Sequence, residues 1–304
     1  MHKFLEKQKY PVVLLVLGVL LVLSGLFDIK DLTKFHIAVR SEPQYIVANF
    51  GGVLALLSII VYLFDELTFG WIGFKRIHKL ESGFATRISN TEIRVLFGRL
   101  EEITDPMRES MVVLPANEFF DDECIKDRKS ALGAYVNHKF KNQTEQIEAL
   151  IRAELRTYDS YEVEKELGVK QDSYGVGTGV FLKSPMASEQ PVLLLAVTTK
   201  RAGEGLRAEM SYIFQAVRKI QNTVADQRIG TVCVPVMGSG HGGLRREVAL
   251  FGLLLAICDG VTKAHRHHIE QFNVVVYQAD ASTKPSISKP VVKRLLRIAT
   301  GMFT

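Results

Sequence analysis

The chain is poor in cysteine. Cys124, Cys233 and Cys258 are its three, set far apart and without a CxxC spacing. That excludes a disulfide framework and fits a reducing compartment, and all three read as small core residues. It also lacks a strong charge of one sign. Lys and Arg number 38 against 33 Asp and Glu, a net +5, too little to imply nucleic acid. No zinc-finger or RNA-binding signature accompanies it, so no nucleic-acid partner is expected. Internal repeats and low-complexity tracts are missing. With 47% apolar and 23% charged residues, the composition is that of folded protein rather than a disordered tail or a collagen.

What the chain has is concentrated at its front. From Tyr10 to Phe27, and again from Pro43 to Phe64, no charged residue occurs. As helices these runs would reach about 27 Å and 33 Å, close to a bilayer's hydrocarbon thickness. They predict a two-helix transmembrane hairpin; a cleaved signal peptide would have a shorter apolar stretch and no second span so soon. Two spans put both termini on one side. The basic residues flanking them are nearly balanced, so sidedness is not fixed by charge. Ala48/Gly52 and Gly51/Ala55 are small pairs four apart. They suit close helix contact and oligomerisation, or simply reflect the usual composition of such helices.

Behind the hairpin and a connector ending at residue 82, short β-branched runs alternate with amphipathic segments over 83–304. Strands are predicted at 92–97, 111–114, 179–182, 192–198, 231–236 and 272–278, and helices at 142–157, 204–226, 244–262 and 291–300. The alternation implies an α/β fold, a mostly parallel mixed sheet with helices on both faces.

In such a sheet ligands sit at the C-terminal ends of strands. One strand end stands out: Thr231-Val-Cys-Val, then Pro235-Val-Met-Gly-Ser-Gly-His-Gly-Gly-Leu244. Gly238, Gly240, Gly242 and Gly243 lie between a strand and a helix, where backbone N–H groups and a helix N-terminus can cradle phosphate. The Gly-Lys-Ser/Thr ending of a Walker A loop is missing. Arg245 and Arg246 fall in the first helical turn, where they oppose the helix dipole unless an anion lies nearby or both face water. A second strand end carries Asn117, followed by Asp121. Asn117 suits either a ribose hydroxyl pair or an Asx-type turn. Ser130 and Gly133 read as a glycine-containing turn, and 175–179 as a ligand-lining or plain tight turn. His265, His267 and His268 lack the partners that a metal site needs.

Together these pieces resemble a macro domain over roughly residues 88–280. The resemblance implies that Asn117 contacts the distal ribose and that 235–244 surround a diphosphate. It implies a ligand site of Asn117, Asp121, Ser130, Gly133, Gly238, Ser239, Gly240, His241, Gly242, Gly243, Leu244 and Arg245. Gly98-Arg-Leu stands where most macro domains carry Gly-Asp-Ile, so the usual acceptor for the adenine amino group is replaced by Arg99.

With two N-terminal spans in front, the chain resembles the membrane-anchored macro-domain effector of type II Thoeris antiphage defence. That resemblance implies a cytoplasmic domain on the cell inner membrane and a homo-oligomer. It implies an ADP-ribose-derived signal, of the histidine–ADP-ribose type, made from NAD by a TIR-domain partner. Membrane disruption and cell death follow. No cofactor, no metal and no catalysis are expected. The alternative is a membrane-tethered ADP-ribosyl hydrolase using Asp121 or Asp122 as base; the glycine and glutamate signatures of the hydrolytic types are not found.

Overall fold

The computed structural model describes residues 77–303, apart from 105, 108, 142, 186–189, 264–268, 281 and the side chain of Asp122. The two uncharged runs, the small-residue pairs in the second, the connector up to 76 and the three clustered histidines lie outside the described residues. Among the described residues no helix is long and apolar enough to cross a membrane. The chain divides into two units, Met1–Phe74 and Lys75–Thr304, and the second is an α/β domain.

Its sheet begins inside the segment expected to be a connector. β1 (His78–Leu80) and β2 (Gly83–Ile88) form a tight hairpin, with Leu80 paired to Gly83. Along the chain follow β3 (Thr91–Gly98), α1 (Leu100–Thr104), β4 (Met111–Asn117), α2 (Asp122–Lys126), α3 (Ala131–Lys139) and α4 (Thr144–Leu155). Next come β5 (Tyr161–Glu166), β6 (Val169–Ser173), β7 (Gly179–Leu182), β8 (Val192–Thr198) and α5 (Met210–Gln227). The last elements are β9 (Thr231–Pro235), α6 (Arg246–Lys263), β10 (Gln271–Tyr277) and α7 (Lys289–Gly301).

Eight strands form one sheet in the order β1-β2-β3-β10-β9-β4-β8-β7. The strands from β3 to β8 run parallel to their neighbours, and antiparallel strands close both edges. The expected mixed, mostly parallel sheet is therefore what forms. β8 reads Val-Leu-Leu-Leu-Ala-Val-Thr and every residue of it is buried, as a strand covered on both faces requires.

Side chains alternate across the sheet and divide the core in two. Met111 and Val113 of β4, with Leu193, Leu195 and Val197 of β8, pack with α5, α6 and α7. Val112, Leu114 and Ala116, with Val192, Leu194 and Ala196, pack on the opposite face with residues of α1 to α4. Full burial of one such aliphatic side chain contributes about 1.5–3 kcal/mol. α3 was not expected as a helix. Ser130 is its N-cap, accepting a hydrogen bond from Gly133 N at 2.8 Å, so the supposed glycine turn is the first turn of a helix.

β5 and β6 form a separate two-stranded ribbon that no apolar pattern announces. Only Lys165 in β5 and Ser173 in β6 are buried.

Candidate functional site

The parallel strands deliver their C-terminal ends to one cleft of about 800 Å³. Gly98 of β3, Pro115 and Ala116 of β4, Val197 and Thr198 of β8, Pro235 of β9 and Tyr277 of β10 line its floor. This is the position that a parallel sheet leaves open, since helices cover its faces but not the crevice beyond its strand ends.

The glycine loop after β9 forms one wall. Gly238 has φ +77°, and its carbonyl accepts from Leu244 N at 3.1 Å, turning the chain back on itself. A side chain on Gly242 would come within 2.7 Å of Ala208 Cβ and 2.8 Å of Gly238 O, so that position is closed to larger residues. Gly240 has open space around its Cα and a φ outside the left-handed range. Gly238, Ser239, Gly240, His241 and Gly242 line the cleft, as does Ser130 opposite.

Four expected residues of these two walls do not line it. Gly243, at φ +76°, makes the turn into α6. Leu244 packs against the core. The helix starts at Arg246, two residues later than expected, and Arg246 lines the cleft while Arg245 does not. Gly133 lies inside α3 with its backbone against the Asp127 and Ile125 carbonyls. The 175–179 segment is a turn with positive φ at Gly175 and Gly177, and it is not part of the lining.

The other wall was not legible. The loop between α2 and α3 brings Arg128 and Lys129, and the end of α3 brings Asn137 and His138, with Lys141 beyond. With Arg99 and Arg246 they make the cleft strongly cationic; Glu101 is the single acid among its described lining residues. His241 Nε2 lies 3.3 Å from Asp127 Oδ2, so the two walls meet at the mouth. Cys124 lines the cleft while also packing against the core, and Cys233 and Cys258 are buried in it. Burial, reinforced by the nearby Asp121 and Glu123 carboxylates, pushes its thiol up to about 11, so it is no thiolate nucleophile.

Asn117 and Asp121 belong to a different construction. Asn117 is 1% exposed and is not among the lining residues. Its Oδ1 accepts from Phe119 N at 3.0 Å, an Asx turn, and its Nδ2 donates to Asp121 Oδ1 at 3.1 Å. Phe120 between them has φ +50°, a strained value for a bulky residue that the surrounding bonds hold in place. The other Asp121 oxygen accepts from Lys165 Nζ at 2.7 Å, and both side chains are nearly dry. Lys165 also donates to Glu123 at 2.9 Å.

Burial pushes the Lys165 ammonium down, but its hydrogen bonds to Asp121 and Glu123 outweigh that and leave it raised. Next to it the fully buried Glu118 pairs with Arg201 and accepts from Ser173 Oγ at 2.7 Å and Lys200 N at 3.1 Å. The β5–β6 ribbon is thus stitched by charge to the loop leaving β4. Of the two readings of Asn117, the turn is the one formed, so an Asn117→Ala substitution probes this construction rather than a bare ligand contact.

Among the described residues no group of His, Cys, Asp and Glu could hold a metal ion. The cleft has what an extended anion needs: backbone N–H groups in a glycine loop, cations from both walls, and apolar strand ends between them.

A mixed sheet with a glycine loop and a cationic crevice at its parallel strand ends defines a phosphate-ligand module of the macro-domain class. The family described as Thoeris protein ThsA, Macro domain, matches residues 93–277, more than half of the chain, and the chain belongs to that family. Among solved structures, the Oceanobacillus iheyensis macrodomain with MES bound is 11% identical, covering 70% of this chain and 95% of its own at a TM-score of 0.49. The macrodomain of Thermus aquaticus DarG is 14% identical, with 61% and 98% covered and a TM-score of 0.40. Thermosipho africanus DarTG in complex with ADP-ribose is 15% identical, with 73% and 48% covered and a TM-score of 0.42. No curated protein sequence matches the chain.

Proposed function

We propose that this chain is a non-enzymatic receptor-effector of antiphage defence. Its cleft binds an ADP-ribose-derived signal of the histidine–ADP-ribose type, made by a TIR-domain partner. Binding favours one arrangement of the domain over another. The N-terminal hairpin, assembled as a homo-oligomer in the cell inner membrane, passes that change on as membrane disruption. The reading rests chiefly on the cleft itself, a glycine loop followed by Arg246 that faces Arg128 and Lys129 across the ends of parallel strands, in a chain of the Thoeris ThsA macro-domain family.

A receptor is favoured over a hydrolase by the placement of Asp121. A general base must reach the proton it takes, and both Asp121 oxygens are engaged, one by Asn117 and one by Lys165.

The test is calorimetric titration of the full chain with ADP-ribose and histidine–ADP-ribose, beside Gly240→Glu. Gly240 has open space around it, so a glutamate there fits without backbone strain and brings an anion to the phosphate loop. Saturable binding of the conjugate by the native chain, lost in Gly240→Glu and free of turnover heat, is expected. Sustained heat with product release would make the protein a hydrolase. Equal binding by the variant would remove the glycine loop from the site.

A further inference from the structure

The last helix carries charge of one sign only. From residue 281 onward the chain has no Asp or Glu, while Lys284, Lys289, Lys293, Arg294 and Arg297 fall in that stretch. Other helices neutralise themselves. α4 sets Arg152 beside Glu148 at 3.6 Å, and α6 pairs Lys263 with Asp259 at 2.7 Å. α7 packs on α6, whose Asp259 is thus already held. Lys289 lies over the Phe97 ring at 5.5 Å. Among the described residues Lys293, Arg294 and Arg297 have no ion pair, and Lys293 and Arg294 are exposed.

A merely solvated basic face is flanked by polar residues. The flank of α7 is apolar. Val291, Leu295, Ile298 and Met302 follow at helical spacing and form one row. The first three are half-buried, and Met302, the C-cap with helical backbone, is 67% exposed. The row lies between the cations and the buried Val292, Leu296 and Ala299. A nucleic-acid backbone has no use for such a row. A bilayer surface uses both parts, phosphates against the cations and the acyl boundary against the apolar side chains.

We propose that α7 docks the domain on an anionic lipid surface, with Lys293, Arg294 and Arg297 among headgroup phosphates and Ile298 and Met302 at the acyl boundary. This rests on the reading that the chain is held at a membrane. α7 follows directly on Ser286 and Ile287, which line the cleft, so lipid and ligand act on adjoining parts of one segment.

The experiment reconstitutes the full chain into vesicles of phosphatidylcholine alone, or of phosphatidylcholine with phosphatidylglycerol. A water-soluble reagent then acylates lysines, and peptide mapping locates them. Lys293 is expected to react about 5- to 10-fold slower in the anionic vesicles than in the neutral ones. Lys170 on the ribbon, with its side chain 69% exposed, should react alike in both. High salt should erase the difference. So should Arg294→Glu with Arg297→Glu, which leaves the buried face of the helix intact. Equal rates for Lys293 in the two vesicles, in a chain that floats with both, overturn the docking while the membrane reading stands. Equal shielding of Lys293 by duplex DNA without vesicles overturns it in favour of a nucleic-acid face. A chain that floats with neither vesicle removes the membrane reading and this inference with it.

Discussion

Replacing Lys165 by alanine should loosen the β5–β6 ribbon and leave the main sheet unchanged. Lys165 Nζ lies 2.7 Å from Asp121 and 2.9 Å from Glu123. The two bonds differ in worth. Glu123 is 53% exposed, and a pair with such a partner contributes under about 1 kcal/mol. The Asp121 side chain is only 7% exposed, and removing the partner of a buried charge costs about 3–5 kcal/mol. Asp121 keeps its bond from Asn117 Nδ2, which places the expected loss at the lower end, about 3 kcal/mol. At 1.4 kcal/mol per decade that is roughly a hundredfold increase in local opening. Hydrogen exchange followed by mass spectrometry reads it directly. Amides of 161–173 should exchange about a hundredfold faster, with β4, β8, β9 and β10 unaffected. The double replacement Lys165→Met with Asp121→Asn should restore much of the protection, because no lone charge is left buried. An acceleration under about threefold would show that desolvation already cancels the pair. Equal acceleration across all strands would show that the ribbon is not a separate unit.

Two other outcomes follow from the same region. The Lys165 hydrogen bond holds the Glu123 carboxyl below its ordinary 4.5, against burial that raises it. Its contribution is present above that value and lost as pH falls through the lower folded one. Lys165 is held above its ordinary 10.5, as the balance of burial and its two acidic partners leaves it; its contribution is present below 10.5 and lost as pH rises through the higher folded value. Ribbon protection, corrected for intrinsic exchange, should be flat between these limits and fall outside them; a midpoint near neutrality would refute the assignment. Cys124, with its thiol raised from 9.0 to about 11, should react with iodoacetamide at neutral pH about a hundredfold slower than an ordinary thiol. Rapid labelling of Cys124, located by peptide mapping, would contradict that.

The sheet was legible because its strands obey a simple rule. A run such as 192–197, apolar throughout, has few other places to go than between two helical layers. The glycine loop was legible because glycines clustered between a strand and a helix have a backbone reason to be there. The opposite wall was not. Arg128, Lys129 and Lys141 carry no pattern that separates a cleft cation from a solvated one, and only the fold turns them to one crevice. Helix Ala131–Lys139 was hidden by Gly133, which suggested a turn. The ribbon was hidden most thoroughly. Its inward residue is a lysine, and a pattern that takes lysine as solvent-facing reads Tyr-Glu-Val-Glu-Lys-Glu as surface. Asn117 was visible as a residue of interest; that its amide is already committed to Phe119 and Asp121 could be seen only once the loop was closed.

The division of the core has a mechanical consequence. The glycine loop leads into α6, which packs on one face of the sheet, while Arg128, Lys129 and Ser130 lead into α3, which packs on the other. Among the described residues the two apolar layers lie on opposite sides of the strands between them. A molecule spanning the cleft is therefore a rivet through a laminate. It fastens two layers at the edge where the sheet ends, and each layer then resists sliding over the other. Bound protein should therefore let its two layers move less against each other than the empty domain does.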